Sequence, residues 1–151
     1  MKKLGILVLI SVILLAGCGK STTSTTASLT SSDYINKLKD AGLTIGEVID
    51  YTAETDPNEL LGRPNQYTSK SNFADTNLEQ SENDDPAGGS VEVFESKKDA
   101  ENRKTYIDDI GKNSPMFAEY SYINGSALLR LNKSLTPDQA KKYEDAFMAI
   151  Q

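Results

Sequence analysis

Asn124-Gly125 sits at the centre of FAEYSYINGSALLRL (117–131), where two alternating runs of β-formers meet at a pair that favours a type I′ turn. No other stretch constrains the chain so closely, because a two-residue turn fixes two neighbouring antiparallel strands and their register. With Asn124 and Gly125 as the central residues, Tyr122 is expected opposite Ala127, Tyr120 opposite Leu129 and Ala118 opposite Leu131. Ser121 then faces Leu128, and Glu119 faces Arg130. The first set is apolar and should meet helices. The second carries a cross-strand ion pair and should be at least half solvated. A slip of one residue would mix the two faces.

Around this hairpin the patterning predicts three helices and three more strands. Asp33 to Ala41 places Tyr34, Ile35, Leu38 and Ala41 on one face, with Ser32 as N-cap and Gly42 after the end. Ile45 to Thr52 and Gln66 to Ala74 read as strands, the latter with Tyr67, Ser69, Ser71 and Phe73 on one face. Between them, Asp56-Pro57 should open a short helical turn that Gly62-Arg63-Pro64 ends. The acidic stretch from Asp75 to Gly89 is long for a compact domain, hence either mobile or functional. Ser90 to Phe94 is a strand. Lys97 to Ile110 is a helix capped by Ser96, striped by Ala100, Arg103, Ile107 and Ile110, and stopped by Gly111. Pro137 to Ile150 is a helix with a Thr136-x-x-Gln139 capping box and Leu135 stapled on Ala140. The expectation is one α+β domain over 33–151. It has about five mainly antiparallel strands with helices packed on one face, in the order α-β-β-β-α-β-β-α.

The chain begins MKKLGILVLISVILLAGC. Lys2 and Lys3 precede an apolar stretch from Leu4 to Leu15, too short for a membrane span of about 20 residues and suited to a signal-peptide core. Its end, Leu15-Ala16-Gly17-Cys18, resembles the lipobox of bacterial lipoproteins. The resemblance implies cleavage of a signal peptide (1–17) between Gly17 and Cys18, lipidation of the Cys18 thiol, and acyl chains such as palmitate in the membrane. Residues 18–32, nearly all Ser, Thr, Gly and Ala, then form a flexible tether. Loss of two lysines takes the formal charge from −6 to about −8. Anionic lipid or wall polymers repel such a surface, so attachment rests on the lipid, at about 0.8 kcal/mol per buried CH₂. The expected location is the extracytoplasmic face of the cell membrane.

Three further stretches resemble a group of small, largely uncharacterised lipoproteins and secreted proteins of Gram-positive bacteria. They are YTAETDPNELLGRPNQYTSKSNFAD (51–75), GGSVEVFESKKDAENRKTYID (88–108) and AEYSYINGSALLRLNKSLTPDQAKKYEDAF (118–147). The resemblance implies an exported α+β domain and makes the segment from Asp56-Pro57 to Pro64 a signature. It brings no activity or ligand.

Composition narrows the chemistry. The 151 residues include no histidine, no tryptophan and one cysteine, and the net charge is negative. Histidine triads, histidine metal sites, internal disulfides and cysteine zinc sites are excluded. A pI near 4.7 argues against a nucleic-acid binder. No cofactor and no metal is expected. Ser69-Lys70 and Ser96-Lys97 are weak candidates for a Ser-Lys dyad. Glu92, Glu119, Asp84 and Asp85 could pair as glycosidase carboxylates. The segment from Glu79 to Asp85 is acidic but lacks the calcium-loop pattern. Tyr51, Arg63, Tyr67 and Lys70, gathered around the Gly62-Arg63-Pro64 turn, form a candidate binding patch, since tyrosine and arginine are favoured at binding hot spots.

The expectation is therefore a monomeric, membrane-anchored lipoprotein whose domain binds an envelope protein or a small ligand without catalysis. The alternatives are a cell-envelope hydrolase, an inhibitor of an envelope enzyme, and a phage-encoded or defence-related surface lipoprotein.

Overall fold

The computed structural model describes residues 28–81 and 85–151. The signal-like segment with Gly17 and Cys18, the tether up to residue 27, and Asp84 lie outside the described residues. In chain order the elements are α1 (Ser31–Asp40), β1 (Ile45–Asp50), β2 (Ser69–Asp75), β3 (Gly88–Val93), α2 (Lys97–Asn113), a single 3₁₀ turn (Pro115–Phe117), β4 (Glu119–Asn124), β5 (Ala127–Asn132) and α3 (Pro137–Met148). The five strands form one sheet in the order β1-β2-β3-β5-β4, antiparallel throughout. The α+β class and the element order are those expected from the sequence.

The apolar face behaves as the patterning predicts. Phe73, Val91, Val93, Leu129 and Leu131 lie against Ile35 and Leu38 of α1 and Tyr143 and Phe147 of α3. Each such large apolar side chain contributes about 1.5–3 kcal/mol on full burial. Phe73 stacks on Tyr143 with ring centroids 5.7 Å apart. The Thr136–Gln139 capping box is formed, and Leu135 and Ala140 are both buried beside it. At the other helix the cap is Thr30, not Ser32: its hydroxyl accepts from the Asp33 N–H while Asp33 bonds back to Thr30. An acidic residue three positions on completes the box for Thr30, whereas Ser32 instead donates to Asp50 at 2.5 Å. The domain consequently starts before residue 33. Ser31 is buried, and its hydroxyl lies 2.6 Å from that of Ser69 and 2.7 Å from that of Ser71.

Further expectations need correction. The helices are not all on one face: α1 and α3 cover the apolar side, while α2 packs on the polar side against β4 and β5. The stripe of α2 carries Arg103 among its apolar residues, and that guanidinium finds its partner on the polar face. Gly111 does not stop α2. It lies within the helix, where a Cβ would stand 3.1 Å from the Ala118 Cα, and Pro115 follows the actual end. The hairpin register is shifted by two residues, with Asn124 opposite Ala127, Tyr122 opposite Leu129 and Ser121 opposite Arg130. Because the shift is even, every side chain keeps its predicted face.

The reason for the shift lies in the turn. Gly125 and Ser126 are the central residues, and only Gly125 has positive φ, at +59°. Glycine at the first central position is the requirement of a type II′ turn. Asn124 is thereby freed to bond elsewhere. Its amide donates to the carbonyls of Phe147 and Ile150 at 2.8 and 2.9 Å, tying the hairpin to the end of α3. Gly125→Val should lower stability by about 1–3 kcal/mol by forcing a β-branched residue to positive φ. Urea unfolding checks this, and an unchanged midpoint would contradict the turn assignment.

Candidate functional site

The polar face is built from alternate residues of the same strands. Lys70 is paired with Glu92 across β2 and β3, and Asn72 with Ser90, which in turn neighbours Arg130 of β5. Arg130 neighbours Ser121 of β4. Along this face, α2 forms one wall. The segment between β1 and β2 forms another, together with Asp85 and Pro86. They enclose a cleft of about 550 Å³.

A chain of ion pairs runs across the floor. Glu92 is fully buried. Its Oε2 accepts from Arg103 Nε at 3.0 Å, and its Oε1 accepts from Arg130 Nη1 at 2.8 Å. Arg130 continues to Glu119, with Nε and Nη2 donating to the two carboxylate oxygens at 2.7 and 2.8 Å. Burial acts to lower the Arg130 pKa, but Glu119 and Glu92 outweigh it, so the guanidinium is held charged. The Glu119–Arg130 pair anticipated in the sequence is present, as a diagonal pair two residues off direct opposition. Glu92, a candidate glycosidase carboxylate in the sequence, is instead buried beneath the cleft with both oxygens bonded to guanidinium groups.

A second ion pair closes the other end. Asp56, 4 % exposed, accepts from Lys70 Nζ at 2.8 Å and from Tyr67 Oη at 2.6 Å. It also accepts from the N–H groups of Leu60 and Leu61 at 2.9 and 3.1 Å. The predicted helical turn after Asp56 is absent. Its carboxylate gathers those N–H groups directly into a tight, non-helical loop, in which Glu59 and Asn65 take positive φ. Burial by itself would raise the Asp56 pKa. The bonds from Lys70, Tyr67 and Leu60 overcome it and hold the carboxyl well below the ordinary range. Tyr67 is pushed up by burial and by its bond to Asp56.

Of the four residues of the sequence-derived patch, three come together. Lys70 Nζ sits 4.6 Å from the Tyr51 ring centroid and 5.6 Å from that of Tyr67. Tyr51 Oη donates to Asp85 at 2.8 Å and receives a bond from the Asn72 amide at 3.1 Å. Burial and the Asp85 bond raise the Tyr51 pKa. Tyr67 is fully buried and faces α2 beside Phe94, Ala100 and Leu128, on the side opposite Phe73, contrary to the expected shared face. Arg63 stands apart. Its side chain is 60 % exposed and lies 3.5 Å from Glu59.

The other candidates separate as well. Ser69 bonds Ser31 on the apolar side while Lys70 points to the polar side, so they form no dyad. Ser96 caps α2, and Lys97 pairs with Glu101. Gln80 draws the 75–89 stretch together: its amide donates to the carbonyls of Asp75, Leu78 and Ala87 and accepts from Ala87 N–H. Among the described residues no group of three or more acidic, histidine or cysteine side chains could hold a metal ion.

The residues missed from sequence are Asp56, Asn72 and the Glu92–Arg103 pair. Asn72 lines the cleft, and its Oδ1 is a buried acceptor without a hydrogen-bond partner among the described residues. A signal existed for the ion pair: Glu92 interrupts an apolar strand, and Arg103 interrupts an apolar helix stripe. Comparison with family models, with curated proteins and with solved structures finds no match.

Lys70→Met leaves Asp56 buried without its cation and should cost about 3–5 kcal/mol at neutral pH. The folded pKa of Asp56 lies below its unfolded value, so its contribution is full above about pH 4 and fades as pH falls further. Urea unfolding across pH should show the deficit of the variant shrinking below about pH 4. A constant deficit would rule out the ion pair as its source.

Proposed function

We propose that this chain is a bacterial lipoprotein, anchored through lipid on Cys18 at the extracytoplasmic face of the membrane, whose domain binds a ligand in the polar cleft without transforming it. The lipobox-like Leu15-Ala16-Gly17-Cys18 and the preceding charged and apolar regions support the anchor. Among the described residues no helix is long and apolar enough to cross a membrane.

The observation that carries the binding reading is the saturation of Glu119, which lines the cleft, and of the buried Glu92 beneath it, while Asp85, which also lines the cleft, accepts from the Tyr51 hydroxyl. All four oxygens of Glu92 and Glu119 accept from guanidinium groups. A glycosidase acid must present a protonated oxygen to the leaving group, and its partner must offer a free oxygen to the sugar or to water. Neither carboxylate is arranged for that work, yet together with Arg130 they make a rigid floor suited to recognition.

Two measurements test the reading. Cys18→Ala should abolish incorporation of labelled palmitate and move the protein from the membrane fraction to the soluble fraction. Retained label would refute the anchor. Titration of the isotope-labelled chain with solubilised cell-envelope extract should shift the amide resonances of Lys70, Asn72 and Ser90. Turnover of extract components that is lost on Glu119→Gln would establish the hydrolase alternative instead.

A further inference from the structure

We propose that the ligand of the cleft is an uncharged glycan, a short run of pyranose rings, an inference that rests on the binding reading above. The first ground is charge. Lys70, Arg103 and Arg130 all line the cleft, and each is already bonded to a carboxylate at 3.0 Å or less. A phosphate or carboxylate ligand would find no unneutralised cation among these described lining residues and would meet Glu119 and Asp85. A cationic ligand would have to compete with Arg130 for Glu119 and with the Tyr51 hydroxyl for Asp85. A neutral polar ligand meets neither penalty.

The second ground is the division of the walls. The floor presents planar or hydroxylic groups in register, with Asn72, Ser90 and Arg130 on three adjacent strands and Asn132 and Glu119 beside them. The α2 wall presents Tyr106, Ile107 and Ile110. A pyranose ring has the matching asymmetry, with a C–H face that packs on aromatic and aliphatic surface and an edge of hydroxyls that both donate and accept. The volume of about 550 Å³ falls within the range of small-molecule sites.

The third ground is Asn72 Oδ1, the buried acceptor that lacks a partner among the described residues. A hydroxyl or an acetamido N–H delivered from the cleft would supply the missing donor. Tyr106 lines the cleft, is 59 % exposed, and has its ring centroid 5.7 Å from the Arg103 guanidinium. It is available as a stacking platform without being part of the core.

The test is a nuclear magnetic resonance titration of the full chain in detergent with four probes. These are a β-1,4-linked N-acetylglucosamine tetramer, cellotetraose, inorganic polyphosphate and a basic hexapeptide. One or both tetrasaccharides should shift the amides of Asn72, Ser90 and Arg130, with an affinity that changes less than about twofold when salt is raised. Tyr106→Ala, which leaves the thermal midpoint unchanged, should weaken that binding about tenfold, as should Asn72→Ala. Saccharide binding that ignores both variants would overturn the site. Polyphosphate or peptide shifting the same amides while both saccharides fail would overturn the glycan and leave the binding reading standing. Cleft amides that respond to no probe and not to envelope extract would overturn both.

Discussion

The buried carboxylate of Glu92 is the interaction on which the two-sided architecture depends. A five-stranded sheet with one apolar face is complete once α1 and α3 cover that face. On the other side α2 packs Ala100 with Tyr67, Phe94 and Leu128, and its Arg103 meets a negative charge enclosed in the sheet that Arg130 meets from the neighbouring strand. Removing one arginine would strand a buried charge, so the arrangement is a matter of complete pairing rather than of any one strong contact.

The two walls of the cleft are tied down in different ways. α2 is tied to the sheet by Arg103 on Glu92 and by the buried Ala100, and the loop ordered by Asp56 stands at the other end. Most groups that face the cavity belong to strands and helix, and the loop residues among them, Pro57, Asn58 and Leu60, sit in the segment that the buried Asp56 carboxylate ties together. A site on such elements keeps its geometry when a ligand enters.

The fold was legible where one physical rule acts locally. Capping boxes, the alternation of the hairpin and the apolar stripes of α1 and α3 could be read directly, and they yielded the class and the order of elements. Legibility failed where a local preference competed with a distant partner. Asn124-Gly125 favours one turn type in isolation, but the Asn124 amide is claimed by α3, and glycine alone takes the positive φ. Gly111 reads as a helix stop, yet the close approach of Ala118 explains it. In the site, aromatic and basic residues near one turn could be grouped from sequence, and three of the four do meet. Asp56, Asn72 and Glu92 could not be placed, because their roles come from strands and loops far apart in the chain.

The buried start of α1 has a geometric consequence. Ser31 is fixed by Ser69 and Ser71 on the side of the sheet that α1 and α3 cover, whereas the cleft opens on the other. The chain therefore enters the domain at Ser31 behind the sheet, with that single layer of strands between the point of entry and the cavity. The point where the chain enters the domain and the mouth of the cleft thus lie on opposite faces of one sheet.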